Sequence, residues 1–244
     1  MRDQGTVLIC VLMALSALIP SGCSDTGTSP GDFDSVTVIF RDGAEPLPSW
    51  YGTRDAVIRN GPSPAMQQTN MGTAPVDTLG AVDIGGTLFS RRLLVRFDLT
   101  SITDCAEVIE GRLTLHLEPE DANLTFQLEA WEATVPAILP GSWAEGFQGE
   151  GVSWIYADEG VVAWDSPGGD RLGLMDTRTV GADTSVTFEL DAERVERWIK
   201  VPSSNDGLLI APVTRGREAF LHVYMRETAA ALRPELSIRY IKGG

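Results

Sequence analysis

Residues 111–118 read GRLTLHLE, with Leu113, Leu115 and Leu117 alternating against Thr114, His116 and Glu118. A period of two puts the leucines on one face of an extended chain and the polar groups on the other, the mark of a strand with one face in a core. The stretch 92–99 (RLLVRFDL) does the same, with Leu93, Val95 and Phe97 opposed to Leu94, Arg96 and Asp98. In 124–131 (LTFQLEAW), Leu124, Phe126, Leu128 and Ala130 share a face. Further strand patterns, bounded by turn residues, occupy 35–41, 55–60, 79–84, 184–190, 207–212, 219–225 and 235–241. About ten such strands without alternating helices predict an all-β chain, an antiparallel jelly-roll-like β-sandwich.

One short helix is predicted. In 192–200 (AERVERWIK), Val195, Trp198 and Ile199 recur at helical spacing; Asp191 can cap the start and Pro202 stops the end. Residues 132–183 read as a long irregular stretch rich in Gly, Pro and Trp. So long a connection needs packing of its own, with Trp143, Trp154, Tyr156 and Trp164 as its apolar anchors.

The first residues read as an address. Residues 7–19 (VLICVLMALSALI) are apolar but too short for a comfortable membrane span, and they suit a signal-peptide core. Pro20-Ser21-Gly22-Cys23 resembles a lipobox, which predicts a signal peptide over 1–22 and a lipid on Cys23. Pro20 stands where an aliphatic residue is usual. The Ser/Thr/Gly/Asp-rich run to residue 35 then forms a tether, and 36–244 form the sandwich. The protein is thus expected to be exported to the outer membrane or cell surface, touching the membrane through its anchor only. Of three cysteines, Cys10 falls in the signal peptide, Cys23 takes the lipid and Cys105 is left alone, so no internal disulfide is expected.

The formal charge is −15, with 17 arginines and two lysines against 34 acids. Such a chain is not a nucleic-acid binder, which needs a basic surface. Catalytic signatures are lacking: there is no HExxH, CxxC or GxSxG, and the two histidines, His116 and His222, stand apart on the polar phases of strands. Asp32-Phe33-Asp34 and 118–123 are the only local acidic clusters, a weak basis for a structural calcium and not an EF-hand. No other cofactor or metal is expected. Glu118, Glu120, Asp121, Glu129 and Glu132 read most simply as a solvated acidic face. Sugars stack on exposed aromatic rings; Trp50 and Tyr51 in a Pro-rich loop and Trp131 at a strand end are the candidates, while Trp198 belongs to the core.

Six stretches in order resemble the DNRLRE-type domain, also classed as carbohydrate-binding module family 96. They are 51–58 (YGTRDAVI), 92–99 with Ser101-Ile102, 106–117, then 151–154 (GVSW) with Trp164 and 167–170 (PGGD). The last two are 195–200 with 206–209, and Met225-Arg226-Glu227 with Arg233-Pro234-Glu235-Leu236. Met225 stands where the family usually has Ser, and Ile155 where Asn is frequent. The resemblance implies a jelly-roll-like sandwich on exported proteins, some of which bind acidic polysaccharides. The motif residues Arg96, Asp98, Trp154, Trp164, Trp198, Arg226, Glu227, Arg233 and Pro234 then carry structure, with Arg96, Asp98, Arg226 and Glu227 read as a buried or edge ion network fixing the loops. A surface at −15 repels a polyuronate unless arginines cluster or calcium bridges. Arg91, Arg92, Arg96, Arg215 and Arg217 are the arginines expected to cluster. The expectation is a non-catalytic surface lipoprotein that binds polysaccharide or mediates envelope adhesion, with no protein partner named by the sequence. Two other classes stay open: a polysaccharide lyase or glycoside hydrolase using acidic residues, and a structural subunit of a surface assembly without a sugar ligand.

Overall fold

The computed structural model describes residues 35–103, 106–118, 125–139, 141–146, 150–181, 183–213 and 220–242. Cys23, Cys105, Glu120, Asp121, Arg215 and Arg217 lie outside the described residues, as do the predicted signal peptide and tether.

The described chain is an all-β antiparallel sandwich. A four-stranded sheet runs in the order β1 (Ser35–Phe40), β13 (Glu235–Ile241), β5 (Glu107–His116), β10 (Ser185–Leu190). It faces β4 (Thr87–Phe97), β11 (Leu208–Pro212), β6 (Phe126–Thr134) and β9 (Asp170–Val180). These two strand orders are those of a jelly roll, two interlocked Greek keys. The second sheet is widened by β3 (Val76–Ile84) and β12 (Phe220–Tyr224). Beyond β4 it gains β2 (Thr53–Asn60): Leu93–Val95 pair with β11 along one edge of β4 and with β2 along the other.

The alternation that predicted the strands is the alternation of burial. Leu113, Leu115 and Leu117 enter the core between the sheets with Leu93, Val95, Phe97, Leu128 and Ala130. The helix falls where its spacing puts it, as α2 (Ala192–Lys200), after a one-turn helix α1 (Pro64–Gln67) that the sequence reading missed. Asp191 accepts a hydrogen bond from Arg194 N–H at the start of α2, and Val195, Trp198 and Ile199 close one end of the core.

The long segment after β6 is a third layer. It lies on the outer face of the large sheet and forms a second apolar cluster, with Trp143, Val152, Trp154 and Trp164 over Ala56, Ile58, Leu94 and Leu209. Leu94 and Leu209 stand on the phase opposite to the inter-sheet core, so this layer explains why both faces of β4 are apolar. The layer also holds a small hairpin, β7 (Tyr156–Asp158) with β8 (Val162–Ala163). Trp143 Nε1 donates to the Asp206 carbonyl and Trp164 Nε1 to the Ser153 carbonyl, so both indoles are buried with a partner. Tyr156 is only half-buried, a weaker anchor than its tryptophan neighbours.

Arg92 ties this layer down. Its guanidinium stacks 4.6 Å over the Trp154 ring and donates to the Gly168 carbonyl at 2.6 Å. Gly168 has φ +96°, and a Cβ there would lie 2.5 Å from Arg92 and 2.7 Å from Trp154, so only glycine fits. Asp170 finishes the turn by accepting from Asp165 and Ser166 N–H groups. The irregular reading of 132–183 needs one correction: it ends in β9, an edge strand of eleven residues. Its sequence, DRLGLMDTRTV, lacks an apolar alternation because Leu172 and Leu174 face solvent.

Candidate functional site

The loop between β1 and β2 carries Trp50 and Tyr51, and the structure separates their fates. Trp50 is half-buried against Phe40, ring centroids 5.3 Å apart, and joins the main core. Tyr51 is 68% exposed. The loop is held from beneath. Gly43 (φ +68°) donates its N–H to the Trp50 carbonyl, and a Cβ on it would meet Arg233 at 2.8 Å. Arg233 donates to the carbonyls of Asp42 and Thr228, and Asp42 Oδ1 accepts from Thr53 N–H. Arg233 and the buried Pro234 therefore brace the loop from the far end of the chain.

Tyr51 stands at the rim of an open polar cleft of about 390 Å³, lined also by Arg54, Arg96, Asp98, Glu145 and Arg226. Arg54 and Arg96 are direct cross-strand partners on β2 and β4, where the apolar outer face gives way to charge. Arg96 Nε donates to the Asn205 carbonyl at 2.6 Å. Burial, then the neighbouring Arg54, lower its pKa. Asp98 is exposed and accepts from Thr100 rather than pairing with an arginine.

The cleft's second wall is a carboxylate cluster on the free edge of β2. Asp55 is fully buried; its N–H faces Glu145 Oε1 at 3.4 Å, and its Oδ2 accepts from Arg226 N–H at 2.8 Å. The Arg226 guanidinium forks onto Glu145, Nε to Oε1 at 2.9 Å and Nη2 to Oε2 at 2.8 Å. It also reaches Glu227 at 2.9 Å, while Asp42 Oδ2 lies 3.6 Å away. Arg226 and Glu227 are thus in the ion network that the resemblance implied; Arg96 and Asp98 are on the cleft wall. Asp55, Glu145 and Glu227 each offer one oxygen, all within 4.8 Å of one another, the one set among the described residues able to converge on a metal ion.

One guanidinium does not balance these acids. Burial, then Glu145 and Glu227, raise the Asp55 pKa well above the usual carboxylate range. Burial pushes the Glu145 pKa up to about 7 against the pull of Arg226. Burial works against the Arg226 charge, but Glu145 and Glu227 outweigh it and raise its pKa. The sequence reading missed Asp42, Asp55 and Glu145. Glu145 is ninety residues from Asp55 along the chain, and the three meet only where β2 ends the sheet.

The other expected residues go elsewhere. Trp131 is half-buried on the outer face with the Arg171 guanidinium 4.7 Å over its ring and its Nε1 donating to Glu129. It does not share a platform with Tyr51. Arg91 packs over Phe220 and donates to Thr78, while Arg92 braces the outer layer. The arginines that meet are Arg54, Arg96 and Arg226. Glu132 is not on a solvated face: it is 2% exposed and bound to Arg197 and Trp198. No protein-family model and no curated protein matches this chain.

Proposed function

We propose that the sandwich is a non-catalytic polysaccharide-binding module whose site is the Tyr51 cleft. The observation that carries this reading is that the exposed Tyr51 lines one cleft with Arg54 and Arg96, cross-strand partners on β2 and β4. An exposed ring gives a sugar's C–H face a surface to stack on. Two adjacent arginines give a carboxylated sugar charge-assisted hydrogen bonds. The pair offsets locally what the net charge of −15 opposes globally, which favours an anionic polysaccharide. The resemblance to the DNRLRE-type domain agrees with this, as does the proposed role at a lipid-anchored cell surface.

Affinity electrophoresis against anionic and neutral polysaccharides tests the reading. The expected outcome is retardation by an anionic glycan, abolished in Tyr51→Ala and reduced in Arg54→Ala. A wild-type protein that no glycan retards rejects it.

A hydrolase or lyase reading has one observation in its favour, the raised pKa of Glu145 beside a polar cleft. Against it, both Glu145 oxygens are engaged by Arg226. Release of reducing ends or unsaturated products from the bound glycan would establish it.

A further inference from the structure

We propose that Asp55, Glu145 and Glu227 hold a divalent cation of the calcium type at the base of the Tyr51 cleft. This stands whether or not the cleft takes a glycan.

Three carboxylates, those of Asp42, Glu145 and Glu227, meet the one guanidinium of Arg226, and a fourth, Asp55, accepts from the Arg226 backbone N–H. Arg233 adds no side-chain pairing, since it donates to backbone carbonyls. Arg226 neutralises one charge, and a divalent ion meets most of the remainder. The second observation is which oxygens are left without a partner. Among the described residues, Asp55 Oδ1, Glu227 Oε2 and Thr53 Oγ1 are buried and accept no hydrogen bond; Asp42 Oδ2 accepts none either, with only the Arg226 guanidinium 3.6 Å away. Asp55 and Asp42 are 0% and 1% exposed. A native protein does not leave buried carboxylate oxygens unpaired without cause.

The chemistry selects the ion. The donors are all oxygen, with neither histidine nor cysteine, which argues for a hard cation over zinc. Ligand oxygens within 4.8 Å of one another are in reach of one ion at the Ca–O length of about 2.4 Å. They come from an edge strand, a loop and the turn after β12, an irregular set that suits calcium better than octahedral magnesium. Thr53, Glu145 and Arg226 open onto the cleft, which gives the ion a way in.

The test is melting temperature for protein stripped with EGTA, then supplied with calcium or magnesium. Calcium at about a hundredfold excess over its Kd should raise the wild-type melting temperature by roughly 5–10 °C. Magnesium should raise it less. Asp55→Asn should melt in EGTA at least as high as stripped wild type, since it removes a buried unpaired charge, yet lose the calcium increment. Glu227→Gln, on a half-buried side chain, is the second variant, and loss of the increment in either folded variant supports the site. A wild type that melts at the same temperature in EGTA and calcium overturns it. Equal calcium increments in wild type and both variants overturn it too, because the ion would then sit elsewhere on the acidic surface.

Discussion

Two buried carboxylates on the same sheet are treated in opposite ways. Glu132, on β6, is 2% exposed and accepts from Trp198 Nε1 at 3.0 Å and from Arg197, with Arg194 3.8 Å from its other oxygen. All three partners come from α2, whose spacing of three and four residues brings 194, 197 and 198 to one side. Asp55, on β2, is 0% exposed but sits among like charges, and one of its oxygens has no partner. The difference lies in what covers each strand. Glu132 is met by a rigid helix of complementary charge; Asp55 is met at a free edge by loops that bring more acid than base. The first arrangement fastens α2 to the sheet. The second keeps a concentrated negative charge that the fold itself does not neutralise.

The contrast breaks first, and most visibly, at Glu132. Glu132→Ala leaves two arginines and a buried indole N–H unpaired and should cost about 3 kcal/mol in a urea titration; a loss below about 1 kcal/mol would show that α2 does not depend on it. The second effect is on pH dependence. Glu145 has a folded pKa raised from 4.5 to about 7, so its contribution is full below the unfolded value and is lost as pH rises through the folded one. Without divalent cations, stability should therefore fall between pH 4.5 and 7, by up to about 1.4 kcal/mol per pH unit for each proton released. Glu145→Gln should flatten that slope, and an unchanged slope would assign the titration to another group. Third, Asp55→Asn in EGTA at pH 8 should hold or gain about 1 kcal/mol, the opposite sign to Glu132→Ala. A loss matching that of Glu132 would make the two carboxylates equivalent. The smallest effect is at Lys200, whose exposed pair with Glu196 follows the i, i+4 pattern on α2. Lys200→Ala should cost roughly 0.5 kcal/mol or less, diminishing in high salt.

Where one face of a strand meets the core, the sequence was enough. Leu113, Leu115 and Leu117 alternate because burial alternates, and Val195, Trp198 and Ile199 recur because a helix turns. β9 escaped because an edge strand need not bury either face, and Leu172 and Leu174 do not. Trp143, Trp154 and Trp164 were legible as packed residues, but their layer on the large sheet was not, since nothing local says which face a loop will cover. The candidate site was legible only in part. Tyr51 announced itself through its Pro-rich loop, and Arg226 and Glu227 through the resemblance. Asp55 and Glu145 are ninety residues apart and become neighbours only through the edge of β2, a proximity that spacing along the chain cannot encode. The arginine pair was half seen: Arg96 was singled out, but its partner Arg54 follows from strand register alone.

β1 gives the molecule a direction. Ser35 pairs with Ile241 at one end of the small sheet, and the strand then runs six residues, about 20 Å, before Phe40 packs against Trp50. Ser35 therefore lies at the end of the small sheet away from the Tyr51 loop. The N-terminal attachment we propose would then present the arginine pair and the acidic cluster on the side facing away from the membrane.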